Sequence, residues 1–318
     1  MGTLAKRLGQ LAARSLESES SSILKQARSN KVEGSLAKAL DATLRRGHDM
    51  KTFGLGTAAS MASRERYGRF TTSMHAVYST MERQFDAAAP DASPLVHALW
   101  LRHGDNLRRG PALQKDLEDV VENRGPTDEH GVAAGLSPAT RRYVDAIEVA
   151  GADDRARGGA RMLGHLYTRY FADLFGGSVL AAPTRAALVL PPGTPRHYTF
   201  SLPAEGGRRA LIEDVYRSLN IAGDGLGGVG RPKATSAASQ LQAAGTAALC
   251  QSADESRQKV LQEEVVEEAM RAFAHNAAVY GEEPMLWDAI RGGFNAATGL
   301  VVRPKEVLGL FRREKIVP

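Results

Sequence analysis

The sequence predicts an all-α protein. Three observations carry that reading. Apolar residues recur at helical spacing along several long stretches, no segment alternates apolar and polar residues at the period of a strand, and alanine is abundant while aromatics make up 6% of the 318 residues. The pattern is strongest around His165–Leu180, where Leu163, Leu166, Tyr167, Tyr170, Phe171 and Leu174 cover one broad helical face. A hydrophobic content of 43% with 24% charged residues is that of an ordinary globular domain.

Taken in order, residues 1–33 precede the first helical pattern. Met1–Leu16 holds three basic residues, no acid, and leucines at 4, 8, 11 and 16, an amphipathic basic segment of the mitochondrial-presequence type. Mitochondrial localisation is the expectation, with plastid or cytoplasm as alternatives, and an ordinary surface helix stays open because Glu17 and Glu19 follow at once. Lys6 stands where a myristoylation motif needs Ser or Thr. The serine-rich run 18–22 marks a flexible boundary.

One helical domain then spans 34–282. Leu36, Leu40 and Leu44 recur every four residues until Gly47, whereas 53–63 is rich in small residues and reads as irregular. A long helix covers Arg64–Ala88, with Tyr67, Phe70, Met74, Val77, Tyr78 and Met81 on one face, and Pro90 and Pro94 close it. Shorter helices follow at Leu95–Leu101 and Leu113–Val121, then a polar, turn-rich stretch to Gly135. Ser137-Pro138 is an N-cap and first-turn pair that starts a helix through Val149. Asp153 and Asp154 place acid at the positive end of the central helix. Beyond it lie a short apolar run, Ala182–Leu190, an extended turn at Tyr198–Phe200, and a helix over Arg208–Leu219. Residues 221–254 are rich in Gly, Ala, Ser and Gln without a period and read as a flexible insertion. Val260–Tyr280 is helical again, and 283–318 form a basic appendage with a helix around Glu306–Phe311.

Composition excludes several classes of function. The formal charge of +5 is spread out, with no Lys/Arg block interleaved with aromatics, so nucleic-acid binding has no support. Cys250 is the single cysteine, which rules out a disulfide framework and a CxxC knuckle. No apolar run approaches the length of a transmembrane helix. His97, His103, His130 and His197 have no companion at metal-ligand spacing, and His75 and His275 read as packing residues. No ExxH pair lies on the helices that would build a di-iron site. Glu263, Glu264, Glu267 and Glu268 read as a solvated acidic face.

The central stretch itself leaves two readings. Gly176 and Gly177 fall where the periodicity still says helix, and each costs roughly 1 kcal/mol there relative to alanine. Either the helix ends at a Gly-Gly cap with Arg169 and Asp173 as a solvated i, i+4 pair, or something lies against its backbone.

His165–Gly177, HLYTRYFADLFGG, resembles the distal-helix signature of heme oxygenases, written HAYTRYLGDLSGG. Other segments are similar in the family's order: RERYGRFTTSMHAVYSTMERQFD, LRHGDNLRRGPALQKDLEDV, SPATRRYVDAIEVA, EDVYRSLN and EEVVEEAMRAFAHNAAVYGEE. The resemblance implies an all-helical heme oxygenase-like domain that takes heme as both substrate and cofactor. It further implies cleavage to biliverdin, carbon monoxide and iron, with electrons from a separate reductase or ferredoxin. Asp173 then organises distal water for proton delivery, Arg169 belongs to the same network, and Gly176 and Gly177 let heme approach the backbone. His48 is the candidate axial ligand of the iron, and Arg45 and Arg217 hold the propionates. Tyr78, Tyr167, Ala172 and Phe273 line the pocket.

The departures from the pattern concentrate at that site. Ala172 replaces the first distal glycine, Phe175 a small residue, and Glu213 a propionate-binding lysine, where it would repel a propionate. Aligning LRRG with the family's LREGTKKAH puts Thr52 at the ligand position, whereas a shifted alignment keeps His48. The residues therefore leave a second function open: a catalytically lapsed relative that serves as a heme-binding or assembly factor in an organelle.

Overall fold

A computed structural model describes residues 27–47, 50–120, 135–226, 243–282 and 285–302. All regular structure among them is helical. Helices α1 (Leu36–Gly47) and α2 (Met50–Ser60) precede the long α3 (Arg64–Asp86), and α4 (Pro94–Leu107), α5 (Gly110–Val120) and α6 (Pro138–Arg157) follow. The central element runs without a break from α7 (Met162–Leu166) through two π-helical turns, Tyr167–Phe171 and Asp173–Gly177, into α8 (Ser178–Leu188). Helices α9 (Gly207–Gly225), α10 (Ala243–Gly281) and α11 (Leu286–Val302) complete the chain.

Local chemistry explains most of the boundaries. Ser63 caps α3 by accepting the Arg66 N–H at 3.2 Å, and Ser137 caps α6 by accepting that of Thr140 at 3.1 Å. Helix α6 ends at Gly158, whose φ of 69° needs no Cβ. The acid at the start of the central element comes from α6. Asp154, in the last turn of that helix, accepts the backbone N–H groups of Arg161 and Met162, both at 2.8 Å.

The core gathers α3 against α5 and α6, with α10 laid across α7, α1 and α2. Helix α3 buries Met74, Val77, Tyr78, Met81 and Phe85, while the central element contributes Leu163, Leu166, Tyr170, Phe171 and Leu174. Gly164 lets two backbones touch, since a Cβ there would sit 2.7 Å from the amide nitrogen of Ala269 on α10.

Four expectations are corrected. Residues 50–60 are helical although Gly54, Gly56 and Thr57 favour no helix, because tertiary contacts outweigh local preference. Gly56 lies under the ring of Tyr280, and Phe53 meets that ring edge-on at 5.1 Å. The central helix does not stop at Gly176-Gly177 but continues to Leu188. Within the expected insertion, α9 reaches Gly225 and α10 begins at Ala243. Within the expected appendage, 286–302 form a helix that packs on both α2 and α8. Its Gly292 faces the carbonyl of Ala58 and its Gly299 that of Ala186, so close that neither position admits a side chain. The N-terminal presequence reading, residues 121–134 and the helix expected near 306–311 lie outside the described residues.

Candidate functional site

The π-turns place Asp173 and Arg169 in the interior, facing α3 and α10. Asp173 is 8% exposed and Arg169 3%, so the solvated-pair reading is overturned. The hydroxyl of Tyr78 on α3 donates to the Asp173 carboxylate. Arg169 donates from Nη2 to that same hydroxyl at 3.2 Å and from Nη1 to Asn276 Oδ1 at 2.8 Å. Its guanidinium also stands 5.0 Å from the centre of the Tyr78 ring. Burial holds the Tyr78 phenol well above its ordinary value, so it stays a neutral donor. The result is one chain of charge-assisted bonds, Asn276–Arg169–Tyr78–Asp173, assembled from three helices.

The side of the same helix next to Asp173 is less buried. Ala172, Gly176, Val179, Leu180 and Pro183 are only partly buried, while Tyr170, Phe171, Leu174 and Phe175 between them are buried. Spacings of four, seven and eight residues put that partly open set on one side of the helix. It is an apolar stripe with its smallest residues at 172 and 176, directly beside Asp173. Phe175 is buried, and its ring meets Phe171 edge-on at 5.5 Å.

The remaining expected site residues divide. Phe273 on α10 is buried and supports the last residue of α1, where a Cβ on Gly47 would lie 2.9 Å from its ring. That contact fixes the end of α1 immediately before His48. His48 itself and the side chain of Arg45 lie outside the described residues. Tyr167 does not present its hydroxyl to the stripe; it donates to Asp41 Oδ1 at 2.6 Å, an oxygen that also accepts from Tyr216 at 2.6 Å. Gly177 faces Tyr198 rather than the stripe, and a Cβ there would lie 2.8 Å from Cδ1 of that ring. Tyr78 belongs to the polar chain behind the helix. Arg217 is an exposed side chain on α9 that shares Asp214 with Arg102.

Glu213 is likewise corrected. Its carboxylate accepts from the backbone of Arg28 at 2.8 Å and from the backbone and hydroxyl of Ser29, clamping the segment before α1. Burial works to raise its carboxyl, but those hydrogen bonds outweigh it and leave the group below its ordinary value. Glu268 is not part of a solvated face either. It is buried and meets His165 Nε2 at 3.1 Å, which gives that histidine a structural role.

Sequence reasoning passed over Asp41, Glu82 and His197. Glu82 accepts the N–H groups of Arg109 and Gly110 at 2.6 and 3.0 Å, and His197 Nδ1 lies 2.7 Å from the buried Asp116. Apart from Asn30, which donates to Asp41 from 11 residues away, the partners named here are 27 to 175 residues away, so no local spacing signals them. No group of three or more His, Cys, Asp or Glu side chains that could hold a metal ion occurs among the described residues. No helix there is long and apolar enough to cross a membrane.

Comparison with known proteins agrees with the all-helical fold. Heme oxygenase 2 of Rattus norvegicus is 32% identical over 130 residues, 40% of this chain and 36% of that protein. The chain spans between about a third and three fifths of the length of the curated relatives it matches. Among solved structures, heme oxygenase 2 from Chlamydomonas reinhardtii without heme superposes with a TM-score of 0.57 at 18% identity, covering 79% of this chain and 99% of that one. Heme oxygenase-2 from Synechocystis in complex with heme and NO gives 0.54 at 22% identity, with 86% and 93% covered. The family model for heme oxygenase matches residues 36–219, from the start of α1 to within α9, and the chain belongs to the heme oxygenase family.

Proposed function

We propose that the protein binds heme against the Ala172–Gly176–Leu180 stripe and cleaves it oxidatively to biliverdin, carbon monoxide and iron. The observation that carries this reading is the pairing of two faces on one helix. A partly buried apolar strip of small residues stands directly beside a buried carboxylate tethered by a phenol and a guanidinium. A flat macrocycle needs the first face, because only small residues let it reach the backbone. Proton delivery needs the second.

The residues present suit such a group. Nε of Arg169 is buried and has no protein partner among the described residues, a spare donor beside the acid. Heme supplies the redox-active iron and the porphyrin edge that is cut. The chain supplies the rest. His48 would hold the iron, Phe273 holds the end of α1 in place, and Arg45 and Arg217 would pair with the propionates. Asp173 would move a proton at its carboxylate while Tyr78 and Arg169 keep it oriented. Ala172 would keep the strip small enough for close approach. Electrons come from a separate reductase or ferredoxin, and the basic segment 1–16 directs the chain to the mitochondrion. The heme complex of the Synechocystis relative supports the choice of ligand.

The test is a hemin titration followed by Soret absorbance, for wild type and His48→Ala. The expected result is a sharp Soret band that His48→Ala shifts or broadens, and conversion to bile pigment when ascorbate is added under oxygen. A spectrum no different from free hemin overturns the proposal. Tight binding without pigment reduces the protein to a heme carrier.

A further inference from the structure

On the far side of the central element, α8, the junction of α4 with α5 and the loop 193–201 border a half-open cavity of about 730 Å³. Helical geometry separates it from the stripe. At 100° per residue, Arg185 and Ala181 project roughly opposite Gly176, Leu180 and Pro183. The cavity is thus independent of the heme reading.

Its lining is unusual in charge. Arg108, Arg109, Lys115, Arg185 and Arg196 face it, against one acid, Asp105. Two of these cations are neutralised in place: Arg108 pairs with Asp86, and Arg196 with Asp116 and Asp119. Among the described residues Arg185 and Lys115 have no ion-pair partner, and Arg109 has no direct ion pair but lies in the field of Asp173 and Glu82. Buried Arg109 spends its donors on carbonyls, at 2.9 Å to Leu107, 3.0 Å to Asn106 and 3.2 Å to His197, and its guanidinium lies 3.9 Å from the centre of the Phe200 ring. Among the described residues, buried Arg185 donates Nε alone, to Thr194 at 2.8 Å, so its terminal amines have no acceptor there. Lys115 is exposed and has no ion-pair partner among the described residues. Burial pulls both guanidinium groups below their ordinary value, and at Arg109 the nearby Asp173 and Glu82 carboxylates offset part of that effect. The first turn of α5, at Pro111 and Ala112, also faces the cavity and adds the positive end of the helix. Arg185 and Lys115 against one carboxylate, Asp105, leave a net positive charge beside apolar walls of Ala181, Ala182, Pro111 and Tyr198. A surplus of that kind beside buried arginines costs stability unless an anion offsets it.

We propose that this cavity binds a small organic phosphate, its dianionic group held by Arg185, Lys115 and the field of Arg109, and its apolar body against Tyr198 and the alanines. Arg185 matches a phosphate or carboxylate with two parallel donors, and Lys115 adds a point charge. Two cations, Arg185 and Lys115, match a phosphate dianion better than a single carboxylate.

Isothermal titration of the full chain with phenyl phosphate tests this, alongside inorganic phosphate and benzoate. Phenyl phosphate is expected to bind at least tenfold tighter than either, and Lys115→Gln and Arg185→Gln are each expected to weaken it about tenfold. His48→Ala is expected to leave it unchanged. Lys115 is exposed, so its substitution tests the charge without endangering the fold. The proposal is overturned if phenyl phosphate fails to bind by about 10 mM, if benzoate or inorganic phosphate binds equally well, or if Lys115→Gln changes nothing.

Discussion

Replacing Tyr78 by phenylalanine removes one oxygen from the middle of the polar chain and leaves the ring packing intact. The hydroxyl it deletes is the donor to Asp173 and the acceptor for Arg169 Nη2 at 3.2 Å, and both partners are charged and buried. A hydrogen bond to a charged group contributes about 1.5–3 kcal/mol, so the two bonds bound the loss at roughly 3–6 kcal/mol. Arg169 keeps Asn276 and the sulfur of Met74, and its charge still faces Asp173, which offsets part of that loss. The expected cost is therefore about 2–3 kcal/mol. For a chain of this size that corresponds to a fall in melting temperature of roughly 4–10 °C. Circular dichroism melts of the protein without hemin measure it, with Asp173→Asn and the double mutant closing a thermodynamic cycle. Because the hydroxyl lies behind the stripe, hemin affinity should change little while pigment formation slows. A melt within about 1 °C of wild type, or a cycle showing no coupling between the two residues, refutes the network as drawn.

Gly177→Ala sets two effects of opposite sign against each other. Helix propensity alone would stabilise by roughly 1 kcal/mol, whereas overpacking against the Tyr198 ring costs about 1–3 kcal/mol. With Tyr198 Cδ1 2.8 Å from the new methyl, the variant is expected to melt below wild type, and a higher melting temperature would show that this glycine has no packing role. His103 carries a pH dependence. It is buried beside Ser218 Oγ at 2.8 Å, and burial pulls its imidazole down to about 4. In the unfolded chain it takes a proton near about 6.5, so its contribution is complete above that pH and is lost as the pH falls towards 4. The loss is on the order of 2 kcal/mol. Urea midpoints of wild type and His103→Gln at neutral and acid pH measure it, and equal acid sensitivity in the two proteins would exclude His103 as the source.

Much of this protein is legible along the chain because its chemistry is local. Helix spacing marks α3, the capping Ser63 and Ser137 mark two starts, and the run His165–Gly177 marks the element that carries the site. Each depends on residues within a few positions of one another. Where the reading stopped at the small-residue stretch 53–63 and at Gly176-Gly177, the deciding partners were distant. The ring of Tyr280 on α10 and the Ala58 carbonyl met by Gly292 on α11 belong with the helix over 50–60. The ring of Tyr198 explains why residue 177 must be small.

The same division holds within the site. The sequence by itself determined the all-helical class, the family, and the presence of Asp173, Arg169 and Tyr78. Only the tertiary structure decided that these three share one chain of hydrogen bonds, that Tyr167 and Glu213 serve α1 and its approach, and that Gly176 faces outward while Gly177 faces a tyrosine. Which side of a helix meets water and which meets a partner is set by the packing of the neighbouring helices. A run of letters records which atoms are available, and burial decides which of them must find each other.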